Sequence, residues 1–293
     1  MRIEPPADFA IVEPKPAATV ILLRPGTRTP FEVLLQQRHG SMAFMPNILV
    51  FPGGRMDKAD AAPALLERTK GIAGLSPERA ALVVAALRET FEESGVLLAR
   101  KPGSASFVEP ARVAALSSVR AQLNSKALTF AEFVEAEDLE LAGDLIHPFS
   151  RWITPWWNKY RYDTYFFVVE APAEQDAAHD GGEAVESLWL PLSADAIEEA
   201  SAAGRLHPPT LRSLTRLIEL GSLPKIFALD PAAVFEPINP WIEQRAGEFF
   251  LNYCLSANAP PEALPVHELS HFGFSRELAA AMGADLKAHG YKS

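Results

Sequence analysis

A single cysteine, Cys254, stands in the 293-residue chain. With one thiol there is no internal disulfide and no cysteine-based zinc site, a usage that fits a reducing compartment. Positive charge is also scarce: 27 Lys and Arg face 37 Asp and Glu, for a formal net charge of −10 and a pI near 5.3. Proteins that track a nucleic-acid backbone need a basic face, so no nucleic-acid polymer is expected as partner. A small anion stays open, because a bound metal ion can supply the missing positive charge. No apolar run reaches the ~18–20 residues of a membrane-spanning helix. The acidic, proline-rich start MRIEPPADFAIVEPKP reads as neither signal nor transit peptide, and AHGYKS carries no retention or peroxisomal tag. The expectation is a cytoplasmic protein without membrane attachment.

What is present is globular in character, with 48% hydrophobic and 22% charged residues. The length suits two domains, or one with large insertions. Ala17–Leu23 and Phe31–Gln37 read as paired strands across the turn-rich PGTRTP, and Ile48–Phe51 as a third short run closed by Pro52-Gly53-Gly54. The period then changes. Ser76-Pro77-Glu78 combines a capping serine, a first-turn proline and an acid at the positive end of the dipole, so a helix is predicted from Pro77 to about Glu93, stopped by Gly95. Residues 104–150 read as largely helical, with apolar spacing in Ala111–Leu123 and Phe130–Leu141. Strands resume at Tyr165–Val169 and Ser187–Leu190, and a helix is predicted over Thr210–Glu219 before Gly221. Residues 222–293 are proline-punctuated with scattered helical patches, and no internal repeat is visible.

The stretch that carries chemistry is Arg88-Glu89-Thr90-Phe91-Glu92-Glu93-Ser94-Gly95. On a helix, Glu89, Glu92 and Glu93 share one face, where like charges repel. Arg88 is placed to pair with Glu92 at i+4. A solvated acidic face is the plain alternative, but clustered carboxylates are also what Mg²⁺ or Mn²⁺ requires. Upstream, Phe51-Pro52-Gly53-Gly54 ends a strand in a glycine turn, where backbone can approach a metal or phosphate closely. Strand, glycine turn and acidic helix outline a site for a metal and a pyrophosphate.

These residues resemble the Nudix box, GX₅EX₇REUXEEXGU with U a bulky aliphatic residue. Aligned on Gly54, Asp60 stands at the first glutamate and Thr90 at the first aliphatic position. Arg88 stands 34 positions after Gly54 where the usual spacing is 14, so the box resembles one with about 20 inserted residues. Together with KPAATVILL, LLQQR, FMPNILVFPGG and RYDTYFF, this is similar to the Nudix branch containing the coenzyme A diphosphatases, over about residues 15–220. Of the longer pattern that often precedes the box in that branch, LL, Arg38 and FPGG match, while His39, Ala43 and Asn47 depart.

The resemblance implies an α/β Nudix fold, a mixed β-sheet sandwiched between helices. It places a Nudix hydrolase domain at 1–221, with a box insertion at about 61–80 and a helical insertion at about 97–155. A C-terminal extension, 222–293, then packs on the core or at the interface of a homodimer. It implies Mg²⁺ or Mn²⁺ held by Glu89, Glu92, Glu93 and the Gly53 carbonyl, with Arg88 orienting the glutamates. The general base is Glu89, Glu183 or Glu186, the last two being otherwise ordinary loop acids. Arg38 is a candidate phosphate contact or a surface arginine at a strand end. The implied reaction is hydrolysis of a diphosphate linkage in coenzyme A or acyl-coenzyme A, with NADH-type dinucleotides and nucleoside diphosphate sugars as alternatives. A non-catalytic nucleotide sensor is the alternative of another class. Two further stretches stand apart. Trp156–Tyr162 reads as core or interface, or as a base-stacking surface. His267-Glu268-Leu269-Ser270-His271 matches HEXXH, although Pro265 and Gly273 leave little room for a zinc-binding helix.

Overall fold

The computed structural model describes the chain except residues 41–46, 180–183, 257–258, 267–271, 273, 282–283 and 285–293. Glu183 and the HELSH stretch therefore lie outside the described residues. Strands β1 (Lys15–Pro25), β2 (Phe31–Arg38), β3 (Leu49–Val50) and β4 (Gly53–Arg55) precede α1 (Pro63–Glu67), α2 (Pro77–Ser94) and β5 (Ala99–Arg100). Helices α3 (Pro110–Ala114), α4 (Ser117–Asn124) and α5 (Phe130–Ala136) lead to β6 (Glu140–Leu141), β7 (His147–Ile153), β8 (Tyr162–Glu170) and β9 (Ala184–Pro191). Then come α6 (Ala194–Ala202), α7 (Pro208–Leu220), α8 (Leu223–Phe227), α9 (Pro231–Val234), β10 (Trp241–Arg245), β11 (Glu248–Tyr253), β12 (Glu262–Val266) and α10 (Arg276–Ala281).

The fold is α/β. Its main sheet runs β3-β2-β1-β8-β7, with β4 added to β1 and β9 to β2. β1 is long enough to pair twice on one edge: Leu23–Pro25 with β2, and Ala17–Thr19 with β4. Its interior residues Val20–Leu23 are fully buried, the apolar run expected of a central strand. β2 in turn carries β9 along Glu32–Arg38, with an irregularity between Gln37 and Arg38.

Helix α2 begins as its sequence predicts. The Ser76 side chain accepts the Arg79 N–H at 3.3 Å, and Pro77 fills the first turn. It ends at Gly95, whose φ of 74° suits the left-handed cap. Between them every residue from Ala80 to Arg88 is buried, so the helix is enclosed on all sides. Two polar residues survive there by bonding backward: Thr90 Oγ1 donates to Ala86 O at 2.7 Å and Ser94 Oγ to Thr90 O at 2.6 Å.

Compact packing divides the chain into two units. The larger is Pro16–Phe149 with Tyr165–Pro231. The smaller is Met1–Lys15, Ser150–Thr164 and the described residues from Ala232 on. The N-terminal fifteen residues and Ser150–Thr164 thus pack with the described part of the C-terminal region. In the smaller unit, Trp157 stacks on Phe274 at 4.6 Å and donates its indole N–H to Phe272 O at 3.0 Å. Ile242, Phe249, Leu251 and Leu278 complete that core. Trp156 and Trp157 are therefore packing residues, as clustered aromatics usually are.

Two expected helical regions are partly strand. Residues 97–155 hold α3, α4 and α5, but also the β5–β6 pair and β7, which joins the main sheet. α5 stops at Ala136 because Asp138 takes a left-handed φ of 45°, and Phe149 and Trp152 then pack from a strand. In the C-terminal region, β10, β11 and β12 form an antiparallel sheet. Its first hairpin turns on Ala246 and Gly247, at φ 50° and 89°, the two-residue loop whose twist matches flanking strands. Among the described residues no helix is long and apolar enough to cross a membrane.

Candidate active site

From Ala80 to Ser94, only Glu89, Glu92 and Glu93 are not buried. An otherwise enclosed helix thus surfaces at the three carboxylates. It surfaces beside β4, since Gly53 N–H donates to Glu93 Oε2 at 2.8 Å. The two glycines leave room for different neighbours, Gly54 for the Glu89 side chain and Gly53 for the β1 backbone. A Cβ on Gly54 would lie 2.6 Å from the Glu89 carboxyl, and one on Gly53 2.5 Å from Ala18 O. The sequence expectation concerned the Gly53 carbonyl; the contact seen here uses its N–H.

Arg88 sits behind this face with its N–H groups fully engaged. Nε donates to Asp60 Oδ1 at 2.7 Å, and Nη2 to Asp60 Oδ2 and Arg55 O, both at 3.0 Å. Nη1 donates to Glu89 Oε1 at 2.8 Å and Glu92 Oε2 at 2.9 Å. All five guanidinium donors are satisfied, which a lysine could not reproduce. Asp60, the residue at the first acidic position of the box, is almost fully buried. The inserted segment between it and Arg88 includes α1 and leaves the pair intact.

Three carboxylates, those of Asp60, Glu89 and Glu92, share one guanidinium. Burial pushes Glu89 up to about 7, Arg88 opposing and Glu92 adding to the shift. Burial also pushes Glu92 up, again against Arg88. Arg88 is held above its ordinary value by Asp60 and Glu89, against the effect of burial. The donor set fits a hard divalent cation in oxygen chemistry and in its uncompensated negative charge. Among the described residues no three carboxylate, imidazole or thiol groups converge as a ready cage. The glutamates are turned instead toward Arg88 and the Gly53 N–H.

Other sequence candidates lie nearby in the chain or apart. Arg38 ends β2 opposite Ala184, and its buried Nε has no hydrogen-bond partner among the described residues. Glu186 is exposed on β9 opposite Gln37. Gln36 was not singled out by motif, yet its side chain is buried and donates to Glu93 O at 2.8 Å. Arg120 and Asn124 of α4 likewise reach the carbonyls of this helix end. No local pattern marks them, because each acts across a long chain separation.

The fold is that of a Nudix hydrolase. The family model for the NUDT19 Nudix domain matches residues 63–217, just over half of the chain, and the chain belongs to that family. It is 27% identical over 282 residues to the human acyl-coenzyme A diphosphatase NUDT19, covering 77% of this chain and 74% of the relative. It is 30% identical over 205 residues to putative nudix hydrolase 7 of Caenorhabditis elegans, covering 70% of this chain and 60% of the relative. The crystal structure of a Nudix hydrolase from Alicyclobacillus acidocaldarius matches with a TM-score of 0.62 at 26% identity, over 75% of this chain and 98% of that one.

Proposed function

We propose that the protein hydrolyses a diphosphate linkage in a nucleotide-containing metabolite with Mg²⁺ or Mn²⁺, and that coenzyme A or acyl-coenzyme A is the substrate. The observation that carries this reading is the surfacing of Glu89, Glu92 and Glu93 from a buried helix against the Gly53-Gly54 turn. Family membership and the activity named for the human relative support the substrate class.

When bound, a divalent cation supplies charge neutralisation for the diphosphate and polarises the phosphorus under attack by water. Glu89, Glu92 and Glu93 would hold it, together with backbone at Gly53. Arg88 keeps Glu89 and Glu92 in register through its clamp on Asp60. A base near neutrality suits proton removal from water at physiological pH, and Glu89, pushed up by burial to about 7, is one candidate for it. Glu183 and Glu186 are the candidates from outside the helix. Arg38, with its buried Nε unsatisfied, suits a phosphate oxygen.

His39 and Asn47 depart from the coenzyme A pattern, which keeps NADH-type dinucleotides and nucleoside diphosphate sugars as competitors. A panel of coenzyme A, an acyl-coenzyme A, NADH and UDP-glucose, with each metal and with products resolved by mass, tests the reading. The expected products are adenosine 3′,5′-bisphosphate and a phosphopantetheine. Faster cleavage of UDP-glucose than of coenzyme A would overturn the substrate, and no cleavage of any member would favour a nucleotide sensor.

A further inference from the structure

The last four carbonyls of an α-helix have no partner inside it. In α2 these belong to Phe91, Glu92, Glu93 and Ser94, so two of them are the backbone of site glutamates. All four are satisfied. Phe91 O accepts the Gly95 N–H and Ser94 O the Ala178 N–H, each at 2.9 Å. Glu92 O accepts from Arg120 Nε at 2.8 Å and Asn124 Nδ2 at 3.3 Å. Glu93 O accepts from Arg120 Nη2 and from Gln36 Nε2, the latter at 2.8 Å.

Arg120 is the one side chain among these that joins both glutamate carbonyls. Its Nη1 also reaches His179 O at 3.5 Å, in the stretch that Ala178 docks on the same helix end. Its positive charge lies at the negative end of the helix dipole, where a cation is favoured. Helix ends fray, and a metal site tolerates displacements of only about 0.5 Å. A last turn that carries Glu92 and Glu93 therefore needs restraint that α2 cannot supply alone.

We propose that Arg120 is a positioning residue for the cation site: by holding the Glu92 and Glu93 carbonyls it fixes the turn that presents their carboxylates. The inserted helix α4 thereby takes a direct part in building the site. This proposal rests on the divalent-cation reading above.

The test uses the full chain with Arg120→Ala, Arg120→Lys and, as a control, Arg112→Ala, which removes the exposed Arg112–Glu137 pair from the same region. Mn²⁺ affinity is measured by calorimetry without substrate, and amide hydrogen exchange on metal-free protein. Outer-shell partners of metal ligands are typically worth about 10–100-fold in affinity. Arg120→Ala is expected to weaken Mn²⁺ binding by that factor, to leave KM for substrate unchanged at saturating Mn²⁺, and to speed exchange at Glu92–Gly95. Arg120→Lys, which reaches one carbonyl at a time, should be intermediate, and it carries the comparison should Arg120→Ala not fold. Arg112→Ala should match the wild type. Unchanged Mn²⁺ affinity in Arg120→Ala, or an equal loss in Arg112→Ala, would overturn the proposal. If the wild type binds no Mn²⁺, the cation reading fails by itself. Exchange then decides the Arg120 role: faster exchange at Glu92–Gly95 in Arg120→Ala alone supports it, and equal exchange in both variants overturns it.

Discussion

Asp60 and Arg88 stand 28 positions apart and meet in a two-pronged ion pair, Nε to Oδ1 at 2.7 Å and Nη2 to Oδ2 at 3.0 Å. The pair is buried, so removing one member strands a charge. Arg88→Ala is expected to destabilise the fold by about 3–5 kcal/mol. Arg88→Lys should recover little of this, because an ammonium cannot span both Asp60 oxygens, Arg55 O and two glutamates. Asp60→Asn should cost less than Arg88→Ala, since Arg88 keeps Glu89 and Glu92 as counter-charges and the asparagine oxygen still accepts one of its N–H groups. Urea denaturation of the three variants orders them.

The two box glycines should fail in different ways. At Gly54 the added methyl meets the end of the Glu89 side chain, which can swing aside. Gly54→Ala is therefore expected to keep its melting temperature near the wild type while losing activity. At Gly53 the obstruction is the backbone of Ala18 and Thr19, at a φ of 156°. Gly53→Ala should destabilise the fold by roughly 1–3 kcal/mol, the range for strained backbone. Melting temperature and initial rate, measured together, separate the two.

Stability of the metal-free protein should fall with rising pH. Folded Glu89 holds its proton up to about 7, whereas its unfolded value is 4.5. Between these limits the folded chain binds more protons than the unfolded one, so stability is highest at the acid end and declines toward neutrality. The decline is on the order of 3 kcal/mol for a shift of this size. Glu92, pushed the same way, adds to it. Saturating Mn²⁺, which binds the ionised carboxylates, should flatten the profile. Glu89→Gln should remove most of the slope and leave the metal-free protein more stable at pH 8. Thermal melts from pH 5 to 8 read all three.

Trp157 offers a control on the second unit. It stacks on Phe274 and bonds Phe272 O. Trp157→Ala should cost about 3–5 kcal/mol through the cavity it leaves. Trp157→Phe should lose less and leave KM unchanged, as a packing residue would. A raised KM in Trp157→Phe at full stability would instead mark a base-stacking role.

The helix that carries the site was legible because its determinants are local: Ser76, Pro77 and Gly95 bound it, and the glutamate spacing falls on one face. Arg88 pairing with Glu92 followed from the same geometry. Contacts of long separation were not legible. Gln36 meets Glu93 across 57 positions, and Arg120 meets it across 27. Nothing in either local sequence points there. β7 and the β10–β11 hairpin were hidden for another reason. Asp138 ends a helix in a left-handed conformation without the glycine that usually signals such a stop, and in the hairpin turn an alanine, Ala246, takes the left-handed position before Gly247.

Glu89, Glu92 and Glu93 are proposed above to form a hydrolytic cation site. The most direct measurement is the rate of coenzyme A cleavage with and without Mn²⁺, in the wild type and in Glu92→Gln. The expected result is metal-dependent release of adenosine 3′,5′-bisphosphate, reduced by at least about a hundredfold in Glu92→Gln with melting temperature retained, more than an outer-shell loss gives. Cleavage that persists in Glu92→Gln at the wild-type rate would contradict the claim.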